Sequence, residues 1–296
     1  MQPSALKAAG SASNLGVDYF AGALRCHRAS RKQLRLRAAK LSKRRRRLRA
    51  LQSAGASVLT LRKTGLASYG YYGAQVLGQS YSELFQIQTE FLRWAGAHLS
   101  TRSRTLSLLL YEDPTWSTGA GPILLWASIC WRAATDSRFS QHFSLPQLAQ
   151  LVRPLLASPP KAWRSVRGPL GAAHWSVMRL NWHWPSPFQL QTDAGEAISL
   201  TSTSPKYMQL LVSQAWQRKL GRYAASQLSL PPGSLLDPTE SIRKLKELQY
   251  PYNAMCSSFL AKTIWTQSRL HAAGCEVDIR CPCCRSSEDT LNHRLF

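Results

Sequence analysis

The chain has 296 residues, of which 38 are Lys or Arg and 15 are Asp or Glu, giving a formal net charge of +23 and a pI near 10.4. An apolar content of 44% excludes a disordered polycation and is enough for a buried core, spread at this length over two or three sub-domains. Such a charge points to a polyanionic partner and says nothing about fold.

Asn14 to Phe20 alternates apolar residues around Val17 and predicts a short strand. No acidic residue occurs between Asp18 and Glu83. Inside that gap residues 25–49 carry thirteen cations: Arg25, Arg28, Arg31, Lys32, Arg35, Arg37, Lys40, Lys43, Arg44, Arg45, Arg46, Arg47 and Arg49. Leu34, Leu41 and Leu48 recur every seven residues, with Ala38 and Leu51 on the same side. Residues 25–52 therefore predict a helix with one narrow apolar seam and positive charge on every other face. Without acids at i,i+4 to relieve the repulsion, it needs a counter-surface. A phosphate backbone is the expected one, although Lys43–Arg47 would also serve as a nuclear-import signal.

From Ser57 to Gly78 a helix-like spacing is interrupted by Gly65, Gly70, Gly73 and Gly78. Ser80 predicts the N-cap of an amphipathic helix through His98, with Leu84, Ile87, Phe91 and Trp94 on one face. Asp113–Trp116 reads as a turn, Gly121–Ala134 and Leu145–Ala157 as buried helices, and Ser158–Pro160 as a break. Residues 187–201 predict a β-hairpin that turns at Asp193–Gly195. Helices are expected again at Pro205–Gln227, Asp237–Gln249 and Tyr252–Ala273. The expected class is mainly α, with one short N-terminal strand and one hairpin.

Seven cysteines are an odd number; Cys275, Cys281, Cys283 and Cys284 fall within ten residues, while Cys26, Cys130 and Cys256 are isolated. The first residues form no apolar signal core, so a reduced intracellular compartment, nuclear or cytoplasmic, fits better than secretion. The longest apolar stretch, Gly121–Trp131, is short of the roughly 18 residues that cross a bilayer, and no membrane partner is expected.

Cys281-Pro-Cys-Cys284 followed by His293 suits a tetrahedral Zn²⁺. A CxxC turn puts two thiolates on one knuckle, and a short following helix brings the imidazole. The fourth ligand is expected either a few residues beyond Phe296, in which case the chain is a fragment, or at Cys275 or His271. Cys283, directly beside Cys284, is the poorest candidate. Any zinc here is expected to be structural, because no open position with a neighbouring general base is marked.

Two other features have structural readings. Gln191-Thr-Asp-Ala-Gly195 is close to the Thr-Asp-Gly strand end of ribonuclease-H-type sites, but its glycine is displaced and no third or fourth carboxylate follows at suitable spacing. It reads as a hairpin turn. The ten tryptophans, dense at Trp175, Trp182 and Trp184, read as core more than as base-stacking platforms. His27, His98, His142, His174 and His183 show no metal or triad spacing.

Asn14-Leu-Gly-Val-Asp18 resembles the strand that closes the palm of reverse transcriptases of non-LTR retrotransposons, where a basic helical thumb follows. Cys281-Pro-Cys-Cys284 with Asp289-Thr-Leu-Asn-His293 resembles the Cys-Cys-His-Cys motif that ends many such open reading frames. That motif continues His-x4-Cys, which would set the last Cys two residues past Phe296. The resemblance implies a remnant palm strand at 1–22, a thumb-like region at 23–100, a helical linker domain at 101–273 and an incomplete zinc-knuckle-like tail at 274–296. It implies RNA or DNA as partner. The family's Tyr-x-Asp-Asp motif lies upstream of the palm strand, and the thirteen residues before Asn14 hold nothing that coordinates Mg²⁺, so catalysis is expected of the parent polymerase and not of this chain. The alternative is a host zinc-knuckle protein acting as a chromatin- or ribosome-associated scaffold, with a metal-dependent nuclease a weaker third.

Overall fold

The computed structural model describes residues 11–14, 17–20, 32–56, 58, 61, 72–94, 103–111, 113–228, 230–248, 256, 266–290 and 293; of residues 11–14, 17–20, 32–39, 41, 42, 94 and 111 it describes the backbone alone. Strands β1 (Ser11–Asn14) and β2 (Val17–Phe20) pair antiparallel, Asn14 opposite Val17 and Ser11 opposite Phe20. The single strand expected over Asn14–Phe20 is thus broken: Asn14 ends one arm of a hairpin and Val17–Phe20 is the other. Residues 15 and 16, between Asn14 and Val17, lie outside the described residues.

Helix α1 runs Lys32–Ser53. Its end has a physical cause: Gly55, at φ 85°, donates to the Gln52 carbonyl (3.0 Å), and Ala56 donates back to Leu51 (3.0 Å). That pair of bonds closes the last turn around a left-handed glycine. Leu48 is buried, as its place in the seam predicts, but Leu51 is 44% exposed, so the apolar seam stops one turn early. Residues 25–31 lie outside the described residues, as does most of 57–71.

The succeeding helices are α2 (Ala74–Leu77), α3 (Tyr81–Trp94), α4 (Arg104–Tyr111), α5 (Trp116–Gly119), α6 (Gly121–Thr135), α7 (Ser137–Ser140), α8 (Leu145–Ala157) and α9 (Gly168–Arg179). Ser80 caps α3 reciprocally: its N–H donates to Glu83 Oε2 (2.7 Å), and Glu83 N–H donates to Ser80 Oγ (3.1 Å). Strands β3 (His183–Ser186), β4 (Gln189–Gln191) and β5 (Ala197–Ser199) form an antiparallel meander in that order. The hairpin expected over 187–201 is therefore two strands of three. β3 escaped the sequence reading because it is four residues long and holds Pro185, which marks a sheet edge. Helices α10 (Pro205–Gln227), α11 (Thr239–Glu247) and α12 (Gln267–Ala272) complete the chain.

α12 corrects another expectation. Thr266 has extended backbone (φ −92°, ψ 161°), and its Oγ1 accepts from Arg269 N–H, so a helix begins at Gln267 instead of running unbroken from Tyr252. A threonine that caps a helix cannot also lie in its interior. Residues 249–255 and 257–265 lie outside the described residues.

The chain divides into two compact units, Met1–Ile87 with Pro114–Trp216, and Gln88–Asp113 with Gln217–Phe296. In the first, α6 packs against α2, α5, α8 and α9, with Ile123, Trp126, Ala127 and Cys130 buried along its length. Ala172 and Ala173 of α9 are small enough to bring that helix close. Arg179, at the end of α9, is 2% exposed and donates to the carbonyls of Gly119 (2.9 Å) and Gln79 (2.6 Å) while covering the Tyr81 ring at 4.7 Å. In the second unit Leu106 and Leu109 of α4 pack with Leu220, Ala224 and Leu228 of α10 and with Leu236. Among the described residues no helix is long and apolar enough to cross a membrane.

Candidate metal centre and basic helix

The C-terminal cysteines lie on a small β-ribbon. Arg280 and Glu288 form an antiparallel bridge, Cys281 N–H donates to the Ser287 carbonyl (2.8 Å), and Asp289 N–H donates to Ile279 (2.7 Å). At the tip, Arg285 N–H donates to the Cys281 carbonyl (2.8 Å), which coils Cys281–Cys284 into one turn and forces Arg285 to φ 56°. Thr290 Oγ1 then accepts from His293 N–H three residues on (3.1 Å), the bond an N-cap makes.

These local rules bring three ligands together. Cys281 Sγ, Cys284 Sγ and a His293 ring nitrogen lie within 4.8 Å of one another, and the group can hold a metal ion. It is the one cluster of three or more such ligands found among the described residues. His293 Nε2 stands 3.2 Å from Cys284 Sγ. Cys281 is buried and Cys284 exposed. The Cys284 thiol is held down to about 6, first by the Ser286 hydroxyl, then by the backbone N–H groups of Ser286 and Ser287, with a smaller contribution from His293. A thiol already inclined to ionise loses little when a metal displaces its proton.

Cys275 and His271, the alternatives for a fourth ligand, are exposed and stay outside the trio. Gly274 explains the placement of Cys275: at φ 87° it ends α12, and Cys275 N–H returns to the Leu270 carbonyl (3.0 Å), holding that cysteine against the helix end. Cys283 is exposed and also outside the trio.

Asp289, the first residue of the Asp289–His293 motif, ties the ribbon to α12. Its side chain is fully buried; Oδ2 accepts from Gln267 N–H (2.6 Å), and its carbonyl accepts from Ser268 Oγ (2.8 Å). With Thr266 serving the N–H of Arg269, the first turn of α12 is capped from two directions. An aspartate twenty-two positions from the helix it caps leaves no local signal. Thr290, three residues before His293, does leave one.

On α1 the side chains of Lys40, Lys43, Arg44, Arg46, Arg47 and Arg49 are exposed and Arg45 is half-buried, with Leu48 turned inward. At 100° per residue, Arg46 points opposite Leu48 while Arg44 and Arg45 flank it. Among the side chains described on α1, Leu48 alone is buried, with the cations of residues 40–49 around it; of Leu41, the other seam residue in this span, only the backbone is described. Of Lys32, Arg35 and Arg37 the backbone alone is described, and Arg25, Arg28 and Arg31 lie outside the described residues.

No protein-family model, curated protein or solved structure matches this chain.

Asp193 sits in the turn between β4 and β5, where Oδ1 accepts from Trp182 Nε1–H (3.2 Å). Gly195 supplies the turn's positive φ of 87°. Trp126, Trp182, Trp184 and Trp216 are buried, as core packing requires, whereas Trp175 is half-buried.

Proposed function

We propose that the chain binds RNA or DNA, with α1 gripping the phosphate backbone and Cys281, Cys284 and His293 holding a structural Zn²⁺. The observation that carries the reading is the exposure of Lys40, Lys43, Arg44, Arg46, Arg47 and Arg49 around one helix whose sequence contains no acid. Like charges at that density destabilise a helix, and a polyphosphate relieves the repulsion while releasing counterions. The Cys/His trio supports the same reading because two thiolates and an imidazole within 4.8 Å suit three of the four positions of tetrahedral zinc. Zinc is favoured over harder cations by sulfur ligation.

In its finer form the proposal is that the chain is the post-palm, thumb-to-knuckle part of a non-LTR reverse-transcriptase-like protein. The supports are the sequence resemblance at Asn14–Asp18 and Cys281–His293, and the order of basic helix, helical region and knuckle. In this form the polymerase chemistry belongs to the parent's palm.

Fluorescence anisotropy with several unrelated RNA and DNA oligonucleotides tests the reading. Replacing Arg44–Arg47 together with Gln should weaken binding to all of them about equally, because phosphate contacts are blind to sequence. Loss confined to one sequence, or no loss, contradicts the proposed role of α1.

A further inference from the structure

Cys281 and Cys284 are placed as a thiol pair as well as a ligand pair. Their sulfurs lie within 4.8 Å of each other and of the His293 imidazole. The turn closed by Arg285 N–H on the Cys281 carbonyl keeps the two residues at i and i+3 of one coil. Such a coil keeps its Cα atoms within the roughly 4.4–6.8 Å that a disulfide spans, so side-chain rotation is enough to join the sulfurs. The two differ in access: Cys284 is exposed, whereas Cys281 is 5% exposed. A small oxidant meets Cys284 first, with Cys281 shielded behind it and in reach.

From this we infer that Cys284 is an oxidation site with Cys281 as its resolving partner, and that a hydroperoxide converts the loaded knuckle to a disulfide and discharges the metal. The inference rests on the metal reading above. Cys284 Sγ attacks one oxygen of the hydroperoxide, the O–O bond breaks, and the departing oxygen leaves as water or an alcohol after taking a proton. Cys284 becomes a sulfenic acid. Cys281 Sγ then attacks Cys284 Sγ; the S–S bond forms, the S–O bond breaks, and hydroxide leaves as water once protonated. The two thiols give up two electrons and the hydroperoxide accepts them. The disulfide carries neither thiolate charge, so His293 alone of the trio still binds the ion, and the ion leaves.

The test uses the full chain loaded with one equivalent of Zn²⁺ and titrated with hydrogen peroxide. A chromogenic chelator follows free metal, and peptide mapping follows disulfides. One zinc should be released per Cys281–Cys284 disulfide formed, and dithiothreitol with added zinc should reverse it. The double variant Cys275→Ser, Cys283→Ser should behave the same. Zinc retained without that disulfide, or released through a disulfide using Cys275 or Cys283, overturns the inference and leaves the metal reading standing. A chain that takes up no zinc yet forms the Cys281–Cys284 disulfide removes the metal reading and keeps the oxidisable pair. Neither zinc uptake nor that disulfide overturns both.

Discussion

Arg285 occupies a left-handed conformation, φ 56°, at the tip of the turn that carries Cys281 and Cys284. A side chain there costs about 1 kcal/mol that glycine does not incur. The conformation is imposed because the Arg285 N–H must reach the Cys281 carbonyl to close the turn carrying both thiolates. Arg285→Gly should therefore tighten zinc binding by up to about fivefold, the equivalent of ~1 kcal/mol. Competition against a chelator of known affinity measures this, and weaker binding would show that the arginine side chain supports the turn.

His174 offers a second residue-scale test. It stacks on Trp184, ring centroids 6.1 Å apart and planes at 14°, and burial first, with the nearby His183 second, pulls its pKa below the ordinary histidine value of 6.5. The unfolded chain then takes up the proton at a higher pH than the folded one. The stability at stake is fully present above pH 6.5 and is lost as the pH falls through the lowered folded value. His174→Phe should flatten that part of the stability–pH curve, as followed by denaturant melts at several pH values. An unchanged slope would mean that the folded protein accommodates the charged ring.

At the scale of elements, strong periodicity and capping chemistry were legible. Ser80 with Glu83 marks the start of α3, and α8 and α10 have the bounds that their apolar spacing and flanking prolines indicate. α4 and β3 were poorly legible, because eight residues make only about two helical turns and four residues of strand give little alternation to read. α9 was missed for another reason: its Gly171, Ala172 and Ala173 pack closely yet contrast little with polar neighbours. The unexpected start of α12 turns on one threonine whose role depends on its backbone angles. Gly221 shows a similar dependence. A glycine inside a helix usually gains about 1 kcal/mol on replacement by alanine. Here a Cβ would lie 2.5 Å from the Leu236 carbonyl oxygen and 2.8 Å from Leu235 Cδ1, so the close approach outweighs the propensity. Gly221→Ala should destabilise the fold by about 1–3 kcal/mol, read from the denaturant midpoint. A gain in stability would show that the chain around Leu236 yields without cost.

For the whole molecule, the net charge of +23 sets the expectation of an anionic partner, and the structure locates part of that charge on the exposed faces of α1. The Cys/His spacing was enough to anticipate which three side chains meet, because a CxxC turn and an N-capped helix start are local devices. It was not enough to place Cys275, whose position depends on a left-handed glycine, or Asp289, whose role depends on a partner far along the chain. The salt dependence of binding is the measurement that bears most directly on the proposed recognition of nucleic acid by α1. Log K for RNA or duplex DNA should fall linearly against log[salt] with a slope of about −4 or steeper, and Arg44–Arg47→Gln should make it shallower by about 2–4. A flat dependence, or a slope unchanged by those four substitutions, would contradict it.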